Sequence, residues 1–300
     1  MYKDYRTAVE DAAAAWFRRR GCPVEAQRPY VLASHDTWLD NIIIPEVRSI
    51  VESVRPRHTM VHHGLSSQAL AFNLFGPLML RQDLAAAKPA FEAAGIQWPS
   101  PQCIGQFEFD DPNVFAEIGR DQPTSWDIAM GSSGGEPSLL VEVKFVEHDL
   151  GSCSVFTRGD CDGANPARNF DICYLHSHKK RRYLVVAEEL GLLETAAFAG
   201  AICPFTIYYQ FFREVAFAAV KRASMIYVLD DRNPALFSRG PKGHGGRIPF
   251  LMALLPSSLS SLVSVVTIPT ILSALEASNR HDNWLGEFRT KYGFNDRISL

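Results

Sequence analysis

Three ionisable side chains lie on two short apolar segments, where unpaired charge is costly. Asp127 belongs to the first segment, and Glu142 and Lys144 belong to the second, which reads Leu-Leu-Val-Glu-Val-Lys-Phe-Val. The Gly- and Ser-rich stretch between them predicts the turn of a β-hairpin. Because side chains alternate along a strand, Glu142 and Lys144 share one face. Charges placed there must pair with one another or bind a metal ion, so the sequence indicates either a cross-strand ion pair or a metal-dependent catalytic site.

The order of these residues resembles a known active-site motif. An Asp, a gap of fourteen residues and then Glu-X-Lys are similar to the motif of the PD-(D/E)XK nucleases, the superfamily of restriction endonuclease-like folds. Trp126 replaces the proline of that motif, but the carboxylate that does the chemistry is kept. Within the superfamily, Phe107-Glu108, Trp126-Asp127 and the segment from Glu142 to Glu147 resemble a bacterial group of restriction endonuclease-like proteins.

The resemblance implies an α/β fold, an α+β mixed sheet with an αβββαβ core, and the hydrophobic pattern agrees with it. Ser66–Pro77 begins with helix-capping residues and ends at Gly-Pro, so it predicts a helix. Residues 103–146 predict three antiparallel strands. Residues 204–222 predict a helix, and 223–229 predict a buried strand that extends the sheet.

The regions outside this core are predicted to be helical and loop extensions. Residues 1–61 form an N-terminal extension, in which residues 3–20 have helical periodicity and Gly21 predicts the end of the helix. The nuclease-like core then spans residues 62–234. Residues 235–300 are expected to pack on that core, so that the whole chain forms one globular unit.

Composition agrees with a cytoplasmic enzyme. The 300 residues are 47% hydrophobic and carry a formal net charge of −3, so any contact with DNA must come from local basic patches. No apolar run is long enough to span a bilayer, and the N-terminus lacks the apolar core of a signal peptide. The sequence therefore predicts no membrane partner.

The resemblance also implies a mechanism of phosphodiester hydrolysis. Asp127 and Glu142 would hold Mg²⁺ or Mn²⁺ through hard oxygen ligands, with the backbone carbonyl of Val143 as a third ligand. The metal lowers the pKa of its bound water and offsets transition-state charge. Lys144 would orient the attacking water and stabilise negative charge. Glu108 is the best further carboxylate, catalytic or as ligand of a second metal.

Further polar residues form a second group of candidates. Gln210 and Arg213 share one helical face and are expected to bind DNA phosphates. Gln68 is expected either to bind there as well or to make helix-capping and core hydrogen bonds. Glu147 is an odd number of residues from Glu142, so a regular strand would turn it away from the site, and it would take part only at a bulge or a strand end.

The cysteines suggest a separate site. Of six cysteines, Cys153, Cys161 and Cys173 lie in a segment rich in Gly, Asp and Asn, and Cys203 follows them. In a cytosolic protein such a cluster indicates a metal before disulfides. The spacings fit no standard zinc pattern, so reduced structural thiols are the leading interpretation. Zinc or an iron–sulfur cluster bound by these four cysteines is the alternative.

Three functions stay open at this level. The leading one is a Mg²⁺-dependent phosphodiesterase, a deoxyribonuclease that acts as a restriction or defence-type endonuclease. The others are a repair or recombination nuclease that acts on ends or single strands, and a catalytically inactive nucleic-acid-binding module. DNA is the expected partner, and a homodimer, a partner methyltransferase and a further defence component stay open as well.

Overall fold

A five-stranded mixed sheet forms the centre of the molecule. The structure is a computed structural model that describes residues 2–119, 123–167, 169–199, 202–237 and 245–294. The strands, in both chain and spatial order, are β1 (Cys103–Asp110), β2 (Ser125–Ser132), β3 (Leu139–Lys144), β4 (Ser224–Leu229) and β5 (Val263–Thr267). Strands β1 to β3 pair antiparallel, and β3 to β5 pair parallel. The prediction of three antiparallel strands extended by the 223–229 strand is confirmed.

Helices cover both faces of this sheet. They are α1 (Tyr2–Arg19), α2 (Pro45–Val51), α3 (Ser67–Leu80), α4 (Lys88–Ala93), α5 (Ser154–Thr157), α6 (Tyr174–Ser177), α7 (Tyr183–Glu189), α8 (Tyr209–Lys221), α9 (Arg247–Met252), α10 (Ser257–Ser260), α11 (Ile268–Ala277) and α12 (Asp282–Tyr292), with 3₁₀ turns at His35–Asn41, Leu84–Ala87, Phe170–Ile172 and Leu192–Glu194. No helix in the described ranges is long and apolar enough to cross a membrane.

One face of the sheet packs against α3. This helix contacts β1, β2 and β3, and its residues 68–78 are all buried. Ser66 caps it, because its Oγ accepts the Ala69 N–H at 3.3 Å. On the same side, α1 packs against α12, and α1 is followed by Gly21 at a φ of +67°, as its sequence predicts. Helix α3 places Gln68 beside β1, where its Nε2 donates to Glu108 Oε1 at 2.6 Å.

The other face packs against α7 and α8. Side chains of Trp126, Leu140 and Tyr227 from the strands join Phe211 and Val215 of α8 in one buried cluster. Helix α8 therefore lies over β3 and β4, and its first turn reaches the end of β3.

Two helix predictions differ from the structure at their ends. Helix α3 does not stop at Gly76-Pro77 but continues to Leu80. Gly76 lies so close to α2 that a Cβ there would be 2.5 Å from Val47 Cγ1, so tertiary packing keeps the helix intact through the proline. Helix α8 begins at Tyr209 and not at residue 204, because the preceding chain turns on itself through Thr206 N–H, which donates to the Cys203 carbonyl at 3.1 Å.

Strand β5 was not predicted from the sequence. It lies within the segment expected to be a C-terminal extension. It pairs with β4, from Met225 opposite Val263 to Leu229 opposite Thr267. Alternation over only five residues, followed at once by a helix, is too short to be distinguished from the apolar pattern of that helix.

Candidate active site

The site begins where β2 and β3 separate. Their backbone pairing runs from Met130–Leu139 to Ile128–Val141 and ends there. Beyond this last pair, the Val143 N–H of β3 donates to the side chain of Asp127 in β2, at 2.7 Å from Oδ2. The Asp127 carboxylate thus takes the place of a backbone carbonyl, and the separation of the strands leaves room for side chains between them.

A left-handed residue in β1 shapes the neighbouring wall. Glu108 has a φ of +51°, a conformation that costs a non-glycine residue about 1–2 kcal/mol. Phe107 and Phe109, which would share a face in a regular strand, consequently pack into the cores on opposite sides of the sheet. The Glu108 carboxylate is held by Gln68 Nε2 at 2.6 Å and Ser125 Oγ at 3.0 Å. Strain of this kind, held by specific contacts, is typical of functional sites.

One cavity of about 520 Å³ collects the candidates. Seven residues predicted from the sequence line it: Gln68, Glu108, Asp127, Glu142, Lys144, Gln210 and Arg213. We call it the carboxylate cavity. It draws residues from α3, β1, β2, β3 and α8, so its composition depends on the packing of the helices on both faces of the sheet.

Lys144, Glu142 and Gln210 are joined pairwise by three hydrogen bonds. Its Nζ donates to Glu142 Oε1 at 2.8 Å and to Gln210 Oε1 at 3.1 Å, and Gln210 Nε2 donates to Glu142 Oε1 at 2.7 Å. Lys144 and Glu142 are each 6% exposed. Burial alone would lower the pKa of Lys144, but the charges of Glu142, Glu147 and Glu214 outweigh it and raise that pKa. The ammonium therefore stays charged.

The carboxylates of the cavity repel one another. Burial raises the pKa of Asp127 well above its usual value, and the charges of Glu142 and Glu108 add to that shift. Burial also raises the pKa of Glu108 to about 7, against the opposing hydrogen bonds from Gln68 and Ser125. Lys144 offsets only part of this negative charge, so the cavity favours binding of a cation.

The donor atoms suit a hard divalent cation. Asp127, Glu142 and Glu108 supply carboxylate oxygens, which are the ligands that Mg²⁺ and Mn²⁺ prefer. Among the described residues, no three Asp, Glu, His or Cys side chains are arranged closely enough to hold one metal ion. The predicted set of Asp127, Glu142 and the Val143 carbonyl requires only two of them. The Val143 side chain is buried in the core, so only its backbone is available to this site.

The second group of predicted residues is partly engaged by the protein itself. Gln68 accepts the His58 N–H at 2.9 Å and donates to Glu108, so it positions that carboxylate. Arg213 Nη1 lies 3.7 Å from Glu117 Oε1, and the guanidinium lies 4.8 Å from the centre of the Tyr209 ring. Part of its charge is therefore balanced before any ligand binds.

Glu147 also lines the cavity. The sequence predicts that Glu147 takes part only at a bulge or a strand end, and β3 does end at Lys144, after which the Phe145 N–H donates to Glu147 Oε2 at 2.6 Å. Sequence reasoning missed other lining residues, among them His58 and Ser125. No local pattern distinguishes His58, which lies at the site because its N–H donates to Gln68 Oε1 at 2.9 Å.

This arrangement agrees with the restriction endonuclease-like core that the sequence predicts: a mixed sheet whose second and third strands separate around an Asp, a Glu and a Lys. The family model described as "Restriction Endonuclease associating with ARP" matches residues 10–293, and the chain belongs to this family. No curated protein and no solved structure matches the chain.

Proposed function

We propose that this protein is a divalent-metal-dependent deoxyribonuclease that hydrolyses DNA phosphodiester bonds, as a restriction or defence-type endonuclease. The observation that carries the proposal is the carboxylate cavity, in which Asp127, Glu142 and Lys144 from two separating strands meet Gln210 of α8. Membership of a restriction endonuclease family supports DNA as the substrate. The cavity volume of about 520 Å³ is within the range that holds a small polar ligand such as a phosphodiester group.

In the proposed site, Asp127 and Glu142 would hold Mg²⁺ or Mn²⁺ with the Val143 carbonyl as a third ligand, and Glu108 would support that ion or hold a second one. The bound ion would supply charge neutralisation at the phosphate and a water activated at neutral pH. Asp127 keeps its hydrogen bond from Val143, so one of its oxygens is fixed by the backbone. Gln68 and Ser125 orient Glu108 in the same manner.

Lys144 supplies the positive charge of the protein at the reacting phosphate. Its ammonium is held by Glu142 and Gln210 and needs little rearrangement to face a phosphate oxygen. A donor that is positioned in advance stabilises charge that develops in the transition state. Gln210 orients both Lys144 and Glu142. Arg213 lines the cavity wall, and its guanidinium would bind an adjacent phosphate.

Partners of the enzyme follow from the family. Its description names an association with ARP, and we extend that association to this chain. A homodimer and a partner methyltransferase stay predictions from the sequence.

Incubation of supercoiled and linear DNA with the protein and Mg²⁺ or Mn²⁺ tests the function. We expect both substrates to be cleaved, with no cleavage in EDTA and none above background for Lys144→Met. Cleavage of linear DNA only would favour the alternative of a repair nuclease that acts on ends. Metal-dependent DNA binding without cleavage by any divalent ion would instead favour the catalytically inactive module.

A further inference from the structure

The carboxylate cavity by itself does not have the charge that would attract DNA. Among the described residues, its lining carries four carboxylates and only two side chains with a lasting positive charge, Lys144 and Arg213. One divalent ion would bring this set only to neutrality, and the whole chain has a formal net charge of −3. Affinity for a DNA backbone comes mainly from Lys and Arg side chains that neutralise phosphates. Basic side chains outside the cavity must therefore supply it.

One basic run is exposed in the connection between α6 and α7. Residues 179–182 read Lys-Lys-Arg-Arg, and the chain contains no Asp or Glu from residue 172 to residue 187. We call residues 179–182 the basic turn, because they join the end of α6 to the start of α7. Lys179, Lys180 and Arg182 are exposed, so a ligand as large as DNA can reach them.

The remaining residue of the basic turn anchors it to the protein. Arg181 is 4% exposed, its Nη1 donates to the Ala116 carbonyl, and its backbone N–H donates to the Leu175 carbonyl at 2.8 Å. The Arg182 N–H donates to the Phe115 carbonyl at 2.9 Å. The basic turn is therefore fixed on the loop that follows β1, and its exposed residues need little ordering when a ligand binds.

The backbone of Lys180 is held in an unfavourable conformation. Its φ is +56°, in the left-handed region that side chains with a Cβ rarely adopt. Its Nζ donates to the Ser177 carbonyl at 2.6 Å, at the end of α6. Strain of this kind persists only where surrounding contacts maintain it, and it is found most often in segments that bind or react.

The loop after β1 also connects the basic turn to the carboxylate cavity. Glu117 of this loop accepts a hydrogen bond from the Tyr183 hydroxyl at 2.6 Å and lies 3.7 Å from Arg213 Nη1. Tyr183 directly follows the basic turn, and Arg213 lines the cavity. Lys180 is three residues from Tyr183, so their Cα atoms are within about 11 Å of each other. The basic turn therefore lies beside the cavity wall that Arg213 forms.

Arg213 has a donor available on this path. Its Nε is buried and has no hydrogen-bond partner among the described residues, although Glu117 and the Tyr209 ring contact the rest of the guanidinium. A buried donor without a partner commonly marks a ligand or water that belongs at the site. A phosphate oxygen at the cavity wall would satisfy this donor in a charge-assisted hydrogen bond.

We propose that Arg213 and the basic turn bind the DNA phosphates that flank the one in the carboxylate cavity. This inference deepens the proposed nuclease function and rests on it. Successive phosphates of one strand rise by about 3.4 Å along the helix axis, so a strand that leaves the cavity past Arg213 reaches Lys179 and Lys180 within a few nucleotides. Arg182 contributes less, because its guanidinium lies 3.8 Å from Glu189. Such contacts position DNA without reading its sequence.

The dependence of DNA affinity on salt tests this surface. Fluorescence anisotropy of a labelled duplex gives Kd for the full chain in Ca²⁺ at a series of salt concentrations. The test variant combines Lys179→Gln with Lys180→Asn, because asparagine tolerates a left-handed backbone better than most residues. Each lost phosphate contact lowers the slope of log Kd against log salt by about 0.9. We therefore expect the slope to fall by about two and Kd at about 0.1 M salt to rise by about tenfold or more, equally for unrelated DNA sequences.

Two double variants serve as matched controls. Lys88→Gln with Arg280→Gln removes the same charge from surface ion pairs outside the basic turn and should leave the slope unchanged. Lys179→Arg with Lys180→Arg keeps the charge and should bind DNA as the wild type does. In steady-state cleavage the test variant should raise KM but change kcat by less than about twofold, because contacts to flanking phosphates are equally strong in the ground and transition states.

The outcomes separate this surface from the nuclease function. An unchanged slope and Kd in a test variant with wild-type Tm would overturn the surface and leave the nuclease proposal standing. An equal loss of affinity in the Lys88 and Arg280 control, or a fall in kcat with unchanged KM, would also overturn it. A wild-type protein that binds DNA but does not cleave it would refute the nuclease, while a lower slope in the test variant alone would still support the surface. A wild-type protein that binds no DNA would overturn both.

Discussion

Replacement of Lys144 by Met tests the proposed mechanism most directly. The unbranched side chain fills similar space but removes the ammonium that donates to Glu142 and Gln210. Loss of one preorganised donor to transition-state charge typically costs about 10²–10³ in rate, or about 3–4 kcal/mol. We therefore expect DNA cleavage to fall by at least about 10²-fold, with DNA binding and the Mg²⁺ requirement for binding unchanged.

The same substitution has a calculable effect on stability. Removing one partner of a buried ion pair costs about 3–5 kcal/mol when the remaining charge is left without compensation. Glu142 keeps the Gln210 Nε2 donor at 2.7 Å and lines a cavity that is open to solvent, so we expect about 1–3 kcal/mol, which lowers Tm by about 2–5 °C for a chain of this size. The variant should therefore be folded at 25 °C.

Initial cleavage rates at 25 °C, with Tm measured on the same samples, separate the two effects. The matched control is Lys88→Met, because Lys88 is an exposed lysine that lies 3.6 Å from Glu92 and should affect neither quantity measurably. Undiminished cleavage by folded Lys144→Met would falsify the assignment, and any nuclease activity would then have to come from another site.

Four further outcomes are expected. Asp127→Asn retains an acceptor for the Val143 N–H but removes a charge, so it should stay folded while cleavage and the Mg²⁺-induced rise in Tm are both lost; a normal Mg²⁺ response would contradict its role as a ligand. Glu108→Gln should reduce cleavage to a level between those of the wild type and Asp127→Asn if Glu108 serves a metal, and steady-state rates at saturating Mg²⁺ would show no change if it does not. Ca²⁺ should support DNA binding in gel-shift assays without turnover, because its looser coordination fails to position the water. Burial raises the pKa of Glu214 from 4.5 to about 8, so its contribution to folding is favourable only at low pH and is lost progressively as the pH rises to about 8. Glu214→Gln keeps an acceptor for the Tyr227 hydroxyl, so its Tm should match that of the wild type near pH 4.5 and exceed it by several degrees at pH 9 in metal-free buffer. A difference in Tm that stays constant with pH would refute the raised pKa.

The local pattern of the sequence determines the strands and the residues with charge on them. Alternation along Leu139–Lys144 places Glu142 and Lys144 on one face because a strand has a period of two. Ser66 predicts the start of α3 because its hydroxyl can accept a hydrogen bond from an unpaired N–H of the first helical turn. Such signals depend on neighbours a few residues apart, so they can be read without the fold.

The tertiary structure decides which distant residues complete each site. Gln210 meets Lys144 across 66 positions of chain, and it does so only because α8 packs over β3. Glu147 reaches the carboxylate cavity because β3 ends at Lys144, and the end of a strand is set by the packing of its neighbours. Glu108 points inward through a left-handed backbone that no propensity predicts for glutamate.

The cysteines show the same division. Composition in the segment from Cys153 to Cys173 suggests a metal, but the spacings match no standard pattern. Cys203 joins these three at one cavity because the turn before α8 pairs with the connection after β3, where the Cys203 N–H donates to the Gly163 carbonyl at 2.9 Å. The sequence by itself determined which side chains carry chemistry, because residue type and short-range periodicity are local properties. Only the tertiary structure decided which of them meet, because long-range contacts depend on the free energy of packing the whole chain.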